Sequence, residues 1–253
     1  MQKTSSMPSV LITGCLGGIG LALVHEFSQN GYYVIGLDKA EQLPSNATAV
    51  DAYISCDLNK IAVDVTCLSE LLTKLKSLTK NKLDVLINNA AYQAVKKIED
   101  ITHIDWQLTQ NINVHAPFLL TQGLLHELES AQGSVINIAS IHASLTKSEF
   151  IAYATSKAAL IGMSRAMAVE LGSRVRVNAI SPAAIATPML EEGFDGRPEA
   201  RQQLNEMHPV GRIGMASEVA RTCLLLANME LGFLTGANIA LDGGIGARLH
   251  DPV

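Results

Sequence analysis

The chain has few cysteines and no pattern that would pair them. Its 253 residues contain four, Cys15, Cys56, Cys67 and Cys223, with no CxxC pair and no histidine at metal-ligand spacing. A disulfide framework is therefore not expected, and reduced thiols in small apolar sites are the ordinary interpretation. No histidine has a carboxylate or cysteine at ligand spacing either, so we predict no metal site.

Long hydrophobic runs and an excess of one charge are also missing. Met1–Ser9 is short and polar, and the apolar stretch Val10–Thr13 is too brief for a signal sequence or a membrane span. The 19 basic and 24 acidic residues give a net charge of -5, which offers no footprint for nucleic acid or anionic lipid. We therefore expect a soluble, cytoplasmic protein whose partners are small molecules.

No linker, low-complexity tract or internal repeat divides the chain. Glycine and proline occur singly or within motifs, and hydrophobic residues are spread evenly to about residue 245. A chain of this length can form one large α/β domain or two small ones. The even distribution predicts one domain over residues 1–253.

Short apolar runs alternate with longer amphipathic segments, and several runs are too uniformly apolar for a sheet with one wet face. Strict alternation predicts a doubly wound, Rossmann-like α/β fold, a seven-stranded parallel sheet with helices on both faces. The predicted strands are Ser9–Thr13, Tyr32–Leu37, Ala52–Ser55, Leu83–Asn88, Ser134–Ala139, Arg174–Ile180 and Ala237–Leu241. The predicted helices are Gly18–Asn30, Cys67–Thr79, Thr102–Glu129, Ala152–Leu171 and Ser217–Asn228.

The segment Thr187–His208 breaks this alternation. It is rich in Glu, Gly, Pro and Gln, with a short helical pattern around Glu199–Met207. After a strand's carboxyl end it would lie over the crevice where such sheets bind ligands, so we interpret it as a substrate lid. A solvated excursion without a role has the same composition.

A glycine-rich loop follows the first predicted strand. Gly14, Gly18 and Gly20 stand where the chain must turn tightly, approach a pyrophosphate and let a helix pack closely, with Ile19 beside them. The helix N-terminus would then offer unsatisfied N–H groups to the anion. Strand, glycines and helix together predict a dinucleotide site.

Two aspartates at later strand ends fit the adenosine half of that dinucleotide. Asp38, 18 residues after Gly20, can hydrogen-bond the ribose hydroxyls of NAD and repel the 2′-phosphate of NADP, although Lys39 beside it softens that repulsion. We therefore predict NAD as the cofactor. Asp57, followed by Leu58, ends the next strand and could meet the adenine. A plain turn aspartate would look the same at either position.

Three further residues describe proton chemistry. Tyr153 and Lys157 are four residues apart, so both project from one helix face, and Ser140 ends the preceding predicted strand. A free phenol has a pKa of roughly 10, and a neighbouring cation favours its deprotonated form. We expect Lys157 to lower the pKa of Tyr153 for acid/base work.

From the Thr13–Gly20 loop to Asp242-Gly243-Gly244 the chain resembles the short-chain dehydrogenase/reductase family. Ser140, Tyr153 and Lys157 match that family's catalytic serine, tyrosine and lysine. Asn113, rather than Asn111 two residues earlier, falls on its active-site asparagine, which would hold a water behind Lys157. The resemblance further implies cofactor contacts from Asn89 and Ala90 of Asn88-Asn89-Ala90, from Pro182, and from Ile185 and Thr187.

The resemblance implies hydride transfer between a nicotinamide and a secondary alcohol or carbonyl. Tyr153 would be the general acid/base, Ser140 would hold the substrate oxygen, and Lys157 would bind the nicotinamide ribose. Two alanines, Ala91 and Ala183, replace glycines that are usual in the family. If those positions need positive φ, each alanine adds strain, and each adds a methyl group to the pocket.

Part of the predicted pocket is similar to that of the bacterial 3-hydroxybutyrate dehydrogenases. Gln93 and His142 stand where those enzymes hold the substrate carboxylate, but Phe150 replaces a lysine there, and Lys147 lies three residues earlier. A hydroxy acid or a sugar-like polyol is the predicted substrate, since glutamine and histidine in a pocket need hydrogen-bonding partners. His142 could instead face solvent.

Two alternative functions remain. One is a 3-oxoacyl carrier-protein reductase, against which Asp38 and the acidic net charge count. The other is a protein that senses NADH without turnover, against which the intact Ser140, Tyr153 and Lys157 count. By resemblance we also predict a homotetramer formed through the helices Thr102–Glu129 and Ala152–Leu171. The last residues, Arg248–Val253, could reach a neighbouring subunit's site or fray.

Overall fold

The protein is described by a computed structural model over residues 7–45 and 47–249, with only the backbone of Met189. The strands are β1 Ser9–Thr13, β2 Tyr33–Asp38, β3 Ala52–Ser55, β4 Val85–Asn88, β5 Ser134–Ile138, β6 Arg176–Pro182, β7 Ile185–Ala186, β8 Gly214–Met215 and β9 Asn238–Leu241. The main sheet has seven strands in the order β3-β2-β1-β4-β5-β6-β9, and every neighbouring pair is parallel. The predicted Rossmann-like α/β fold is confirmed.

The helices cover both faces of this sheet. They are α1 Gly18–Gln29, α2 Leu58–Val63, α3 Val65–Thr79, α4 His103–Gln110, α5 Ala116–Gly123, α6 Leu125–Ala131, α7 Ile151–Leu171, α8 Pro188–Glu192, α9 Pro198–Met207 and α10 Ala216–Ala227. Val10 and Ile12 of β1 pack in a cluster with α1 and α10, whereas Leu11 between them packs with α3, α5 and α7. Neighbouring strand residues face opposite clusters, which is why the strands are apolar throughout.

The order of the strands creates the crevice where the site forms. β1 lies between β2 and β4, so the chain winds outward in opposite directions on the two sides of β1. The loops that follow β1 and β4 therefore diverge at the carboxyl edge of the sheet, which is where open parallel sheets bind ligands.

The long helix predicted over Thr102–Glu129 is wrong as a single element. It consists of α4, a π-helical turn at Asn111–His115, α5 and α6. In the π turn the Ala116 N–H bonds the carbonyl oxygen of Asn111, five residues back. A second break falls at Leu124, whose φ of -108° and ψ of 14° leave the helical region after the weak helix former Gly123.

The prediction also missed short elements. Helix α2 follows β3 directly because the Asp57 carboxylate accepts the Asn59 N–H at 2.9 Å and caps it. The predicted lid segment contains α8, which was missed, and α9, which matches the helical pattern predicted around Glu199–Met207. The two-residue strands β7 and β8, also missed, pair on either side of the segment. That pairing ties the two ends of the segment together. The prediction that the C-terminus reaches a neighbouring site or frays concerns Arg248–Val253, of which His250–Val253 lie outside the described residues.

The cysteines and helices of the described residues add two observations. All four cysteines are free thiols, with Cys15 and Cys223 buried and Cys56 and Cys67 half-buried. Within residues 7–45 and 47–249, no helix combines the length and hydropathy needed to cross a membrane.

Candidate active site

The glycine-rich loop after β1 is built so that only glycine fits at key positions. Gly14 has φ +64°, and a Cβ there would lie 2.8 Å from the Cα of Ala90. A Cβ on Gly20 would lie 2.0 Å from the carbonyl oxygen of Gly14, and one on Gly18 would lie 2.8 Å from the Thr187 side chain. The loop leads into the N-terminus of α1, where unpaired N–H groups and the helix dipole favour an anion. This backbone cradle fits the pyrophosphate of a dinucleotide.

Thr13 and Asn89 fasten that loop to the end of β4. The Thr13 hydroxyl accepts the N–H groups of Asn89 and Ala90 at 3.0 Å each. The Asn89 side-chain amide donates to the carbonyl oxygens of Thr13 and Gly14 at 2.9 and 3.0 Å. The two strand ends on either side of the crevice are therefore one hydrogen-bonded unit. The sequence interpretation missed Thr13, whose only signal was a hydroxyl residue at the end of a buried strand.

Asp38 lies at the carboxyl end of β2, where it was predicted. Its carboxylate accepts the N–H of Leu16, in the glycine loop, at 3.0 Å and that of its neighbour Lys39 at 2.8 Å. A carboxylate has about four acceptor positions, so two remain for a ligand such as ribose hydroxyls. Asp38 thus shapes the loop as well as being able to bind a cofactor.

The second predicted aspartate has a different environment. Asp57 is exposed and caps α2, while Leu58 is only 8% exposed and packs in the core with Ile35 and Leu37. The Leu58 side chain therefore has little surface to offer a cofactor. Asp57 and Lys39 both line a smaller cavity of about 350 Å³ at this edge of the sheet.

A cavity of about 920 Å³ opens beside the glycine loop. Most of the predicted site residues on its walls come from the ends of β4, β5 and β6 and from the start of α7. They are Ile19, Asn89, Gln93, Ser140, Tyr153, Lys157, Pro182, Ile185 and Thr187. The cavity thus brings Ser140, Tyr153 and Lys157 together with predicted nicotinamide-side residues, whereas Asn113 is not among the residues that line it.

Lys157 has the most perturbed environment of this group. Its Nζ is buried, donates a 2.7 Å hydrogen bond to the carbonyl oxygen of Ile138, and lies 5.6 Å from the centre of the Tyr153 ring. Burial lowers the pKa of Lys157 to about 7. A large share of this amine is therefore neutral near pH 7.

The expected lowering of the Tyr153 pKa by Lys157 is not what the structure shows. Burial is the largest influence and raises the pKa of the Tyr153 phenol, and hydrogen bonding with Ser140 opposes it. The physical reason is desolvation, which disfavours the charged form of both groups. Burial consequently favours the protonated phenol of Tyr153 and the neutral amine of Lys157.

Asn113 is buried in the π turn, and its side-chain amide is fully engaged. Its Oδ1 accepts the Tyr92 N–H at 2.8 Å, and its Nδ2 donates to the Tyr92 carbonyl oxygen and to the Ser156 hydroxyl at 2.9 and 2.8 Å. Ser156 in turn donates to the carbonyl oxygen of Tyr153 at 2.7 Å. Asn113 therefore connects the loop that carries Gln93 with the helix that carries Tyr153.

His142 does not line the cavity. Its ring stacks on Phe150 with centroids 4.4 Å apart and planes 4° apart, and it meets Tyr153 edge-on at 5.8 Å. Its Nδ1 lies 3.0 Å from the Thr146 hydroxyl. The ring is half-buried, and this burial, followed by the Lys147 charge, lowers the pKa of His142. Gln93 lines the cavity, whereas His142, with which it was expected to act, is not among the residues that line it.

The two unusual alanines cause no backbone strain. Among the described residues, positive φ outside glycine occurs at Lys80, Asn81, Gln132 and Glu149, and not at Ala91 or Ala183. Both alanines line the cavity, so their effect is the added methyl surface. The sequence interpretation missed Glu149 and Arg197 on the same walls, because exposed loop residues carry no periodic signal.

No cluster of three or more metal-ligating side chains occurs in the part of the chain that the structure describes. The site therefore consists of a glycine cradle, a strand-end carboxylate and a Ser–Tyr–Lys group around one cavity. These features define a nicotinamide-dependent oxidoreductase of the Rossmann-like type.

Comparison with known proteins gives the family. Residues 14–246 match a family model described as enoyl-(acyl carrier protein) reductase. An NAD-dependent glycerol dehydrogenase from Listeria innocua is 30% identical over 239 residues, covering 92% of both chains. A 3-oxoacyl-acyl-carrier-protein reductase from Thermotoga maritima is 34% identical over 249 residues, covering 93% of this chain and 96% of its own. The chain belongs to the short-chain dehydrogenase/reductase family.

The fold comparison agrees. The ligand-free aldohexose dehydrogenase of Thermoplasma acidophilum superimposes with a TM-score of 0.88 at 26% identity, covering 98% of this chain and 97% of its own. The relatives named here act on different alcohols and carbonyls by their names, so the family is common to them and the substrate is not.

Proposed function

We propose that this protein is an NAD(H)-dependent oxidoreductase that interconverts a secondary alcohol and a carbonyl, with Tyr153 as the general acid/base. The observation that carries this proposal is the meeting of Ser140, Tyr153 and Lys157 on one cavity that also borders the glycine loop. The cofactor, when bound, supplies the hydride acceptor or donor. The cradle at Gly14, Gly18 and Gly20 would hold its pyrophosphate, and Asp38 its adenosine ribose.

The proton step follows from the residues themselves. Ser140 hydrogen-bonds the substrate oxygen and keeps it within reach of the Tyr153 hydroxyl. In carbonyl reduction a protonated phenol is the required acid, and the raised pKa of Tyr153 keeps it protonated. In alcohol oxidation the Tyr153 phenol first releases its proton to solvent, and the resulting phenolate then accepts the hydroxyl proton of the substrate. Protonated Lys157 beside it stabilises the phenolate.

Lys157 is also the residue best placed to bind a ribose hydroxyl. Its ammonium has three donors, and only the Ile138 carbonyl oxygen accepts one among the described residues. Asn113 positions both neighbouring walls through Tyr92 and Ser156. Its backbone could additionally hold the water of a proton relay.

The choice of NAD over NADP rests on Asp38 and on the similarity to the NAD-dependent glycerol dehydrogenase of Listeria innocua. A carboxylate facing a 2′-phosphate is costly, although Lys39, Lys60 and Lys74 line the adjacent smaller cavity and reduce that cost. The test is a fluorescence titration with NADH and NADPH. We expect NADH to bind at least about tenfold more tightly than NADPH. The ratio of the two Kd values should become smaller in Asp38→Ser and larger in Lys39→Ala. Equal or tighter binding of NADPH would contradict the choice.

A small polar substrate, a hydroxy acid or a sugar-like polyol, is the proposed class. Support comes from the exposed polar Gln93 on the cavity wall and from relatives named for glycerol and aldohexoses. The Thermotoga relative favours a second candidate, a 3-oxoacyl thioester reductase. A panel of 3-hydroxy acids, polyols, aldoses and acetoacetyl thioesters, followed at the NADH band, distinguishes the two. Turnover of the thioester alone would replace the first candidate.

A homotetramer is the proposed assembly. The outer side of α7 exposes Ile151 and Val169, and a Cβ on Gly162 would meet nothing within 4 Å, which leaves room for a second helix. Phe233, before β9, is fully exposed as well. Light scattering after size-exclusion chromatography should give the tetramer mass, and Val169→Glu should give smaller species. A monomeric wild-type protein would overturn this assembly.

A further inference from the structure

Two cations line the catalytic cavity without a carboxylate partner. Lys147 lies between β5 and α7, and Arg197 lies in the segment between α8 and α9. Across residues 7–45 and 47–249, neither has a carboxylate oxygen within 4 Å. The other arginine of the predicted lid segment Thr187–His208 is Arg201 in α9, whose guanidinium instead donates to the Glu191 carboxylate at 3.0 and 3.2 Å. The segment thus holds one paired arginine and one that is open to the cavity.

Each of the two cations is supported by a phenylalanine that also lines the cavity. The Lys147 ammonium lies 4.8 Å from the ring centre of Phe150, whose other neighbour is the stacked His142 ring. The Arg197 guanidinium lies 5.7 Å from the ring centre of Phe194 and donates to the Gly193 carbonyl oxygen. Cation–π contact orients a long side chain while its charge stays available. A cation held over a phenylalanine ring therefore occurs twice on the cavity wall, once between β5 and α7 and once in the lid segment.

The backbone beside Lys147 is held in an uncommon conformation. Glu149 has φ +74°, which is unfavourable for a residue with a side chain. Its carbonyl oxygen accepts the Lys96 N–H at 3.0 Å, and the Lys96 ammonium is bonded to Asp105 at 2.7 Å. The surrounding structure thus fixes the turn that presents Lys147 and Phe150 to the cavity. Conformations of this kind concentrate at binding sites.

The balance of charge on the cavity walls is positive. Lys147 and Arg197 face one carboxylate, Glu149, and the buried Lys157 adds a partial positive charge. We propose that Lys147 and Arg197 together bind an anionic group of the substrate, a carboxylate or a phosphate ester, while its alcohol or carbonyl carbon lies at Tyr153. This inference rests on the proposed oxidoreductase function and narrows its substrate to anionic alcohols. His142 supports Phe150 in this arrangement rather than binding the substrate.

The test compares matched charged and neutral probes. In the Tyr153→Phe background with saturating NAD, calorimetry measures the Kd of 3-hydroxybutyrate against 3-hydroxybutanamide, and of glycerol 3-phosphate against glycerol. We expect one of the two anions to bind at least about tenfold more tightly than its neutral partner, since charge-assisted hydrogen bonds contribute the difference. Which anion does so distinguishes a carboxylate from a phosphate site.

The variants identify the residues responsible. Arg197→Gln or Lys147→Gln should weaken binding of that anion about tenfold and leave the neutral partner unchanged, whereas the matched control Lys97→Gln, outside the cavity, should change neither. Added salt should weaken anion binding by the Tyr153→Phe protein more than anion binding by the variants that also lack Arg197 or Lys147. Anions that bind no better than neutral probes, or a control that weakens binding equally, would overturn the proposal.

The oxidoreductase function and the anion site can be refuted independently of each other. If the wild-type enzyme turns over glycerol and 3-hydroxybutanamide as efficiently as the two anions, the oxidoreductase function stands and the anion site is refuted. Anion binding that depends on Arg197 and Lys147, without hydride transfer from any probe, would keep the anion site and remove the function.

Discussion

Replacing Lys157 by methionine should reveal how much the buried amine costs the fold. Burial lowers its pKa from 10.5 to about 7, so between these values the unfolded chain binds a proton that the native protein does not. Stability therefore rises with pH across this window. The linkage cost is about 4 kcal/mol at pH 7 and about 2 kcal/mol at pH 9, at about 1.4 kcal/mol per pH unit.

The Lys157→Met variant removes the charge and keeps a side chain of similar length. Its stability advantage over wild type, measured by urea unfolding with far-UV circular dichroism, should shrink by about 2 kcal/mol from pH 7 to pH 9. The variant also loses the hydrogen bond to the Ile138 carbonyl oxygen. This loss affects stability equally at pH 7 and pH 9, so it does not contribute to the change between them. The exposed Lys97→Met serves as the control and should show no such change.

The same variant should lose activity while gaining relative stability at neutral pH, as is common for buried functional groups. A difference between variant and wild type that stays constant from pH 7 to pH 9 would refute the reasoning, because it would mean that the native protein does not perturb this amine.

Other substitutions test the remaining structure. Gly20→Ala should lower the melting temperature and abolish NADH binding because its Cβ would collide with the Gly14 carbonyl oxygen. The control Gly17→Ala, whose Cβ would have its nearest contact at 3.5 Å, should fold as wild type does. Equal effects of the two substitutions would contradict the cradle geometry. Arg176→Met should cost about 2–4 kcal/mol in urea unfolding because its guanidinium serves three carbonyl oxygens at the end of α10, and a change under 1 kcal/mol would be too small for that role. His142→Asn should remove part of the loss of stability below pH 6.5, since the native protein disfavours the charged imidazole; an unchanged pH profile would argue against it.

Much of the fold was predictable because its elements are locally encoded. The uniformly apolar runs that became β1, β4 and β5 indicate a sheet covered on both faces, and the glycines between β1 and the following helix indicate a dinucleotide-binding loop. The pairing of Tyr153 with Lys157 followed from one helical turn, and the place of Ser140 beside them followed from the resemblance to the family. These relations depend on short stretches of chain.

What was missed depends on contacts between distant residues. The π turn at Asn111–His115 accompanies an Asn113 amide bonded to Tyr92 and Ser156, and periodicity does not encode that arrangement. The direction of the Tyr153 pKa shift depends on desolvation by the complete core rather than on the nearby lysine. His142 was placed at the substrate by resemblance, while its stacking on Phe150 is set by the conformation of the intervening loop.

The most direct test of the central claim compares wild type with Tyr153→Phe at the NADH absorbance band, using NAD and the substrate that the panel identifies. We predict that the variant binds NADH as wild type does but turns over about 10²–10⁴-fold more slowly, because only the proton carrier is lost. Turnover that survives in Tyr153→Phe would contradict the assignment of the acid/base, and tight NADH binding without turnover of any alcohol or carbonyl by wild type would instead favour a sensor.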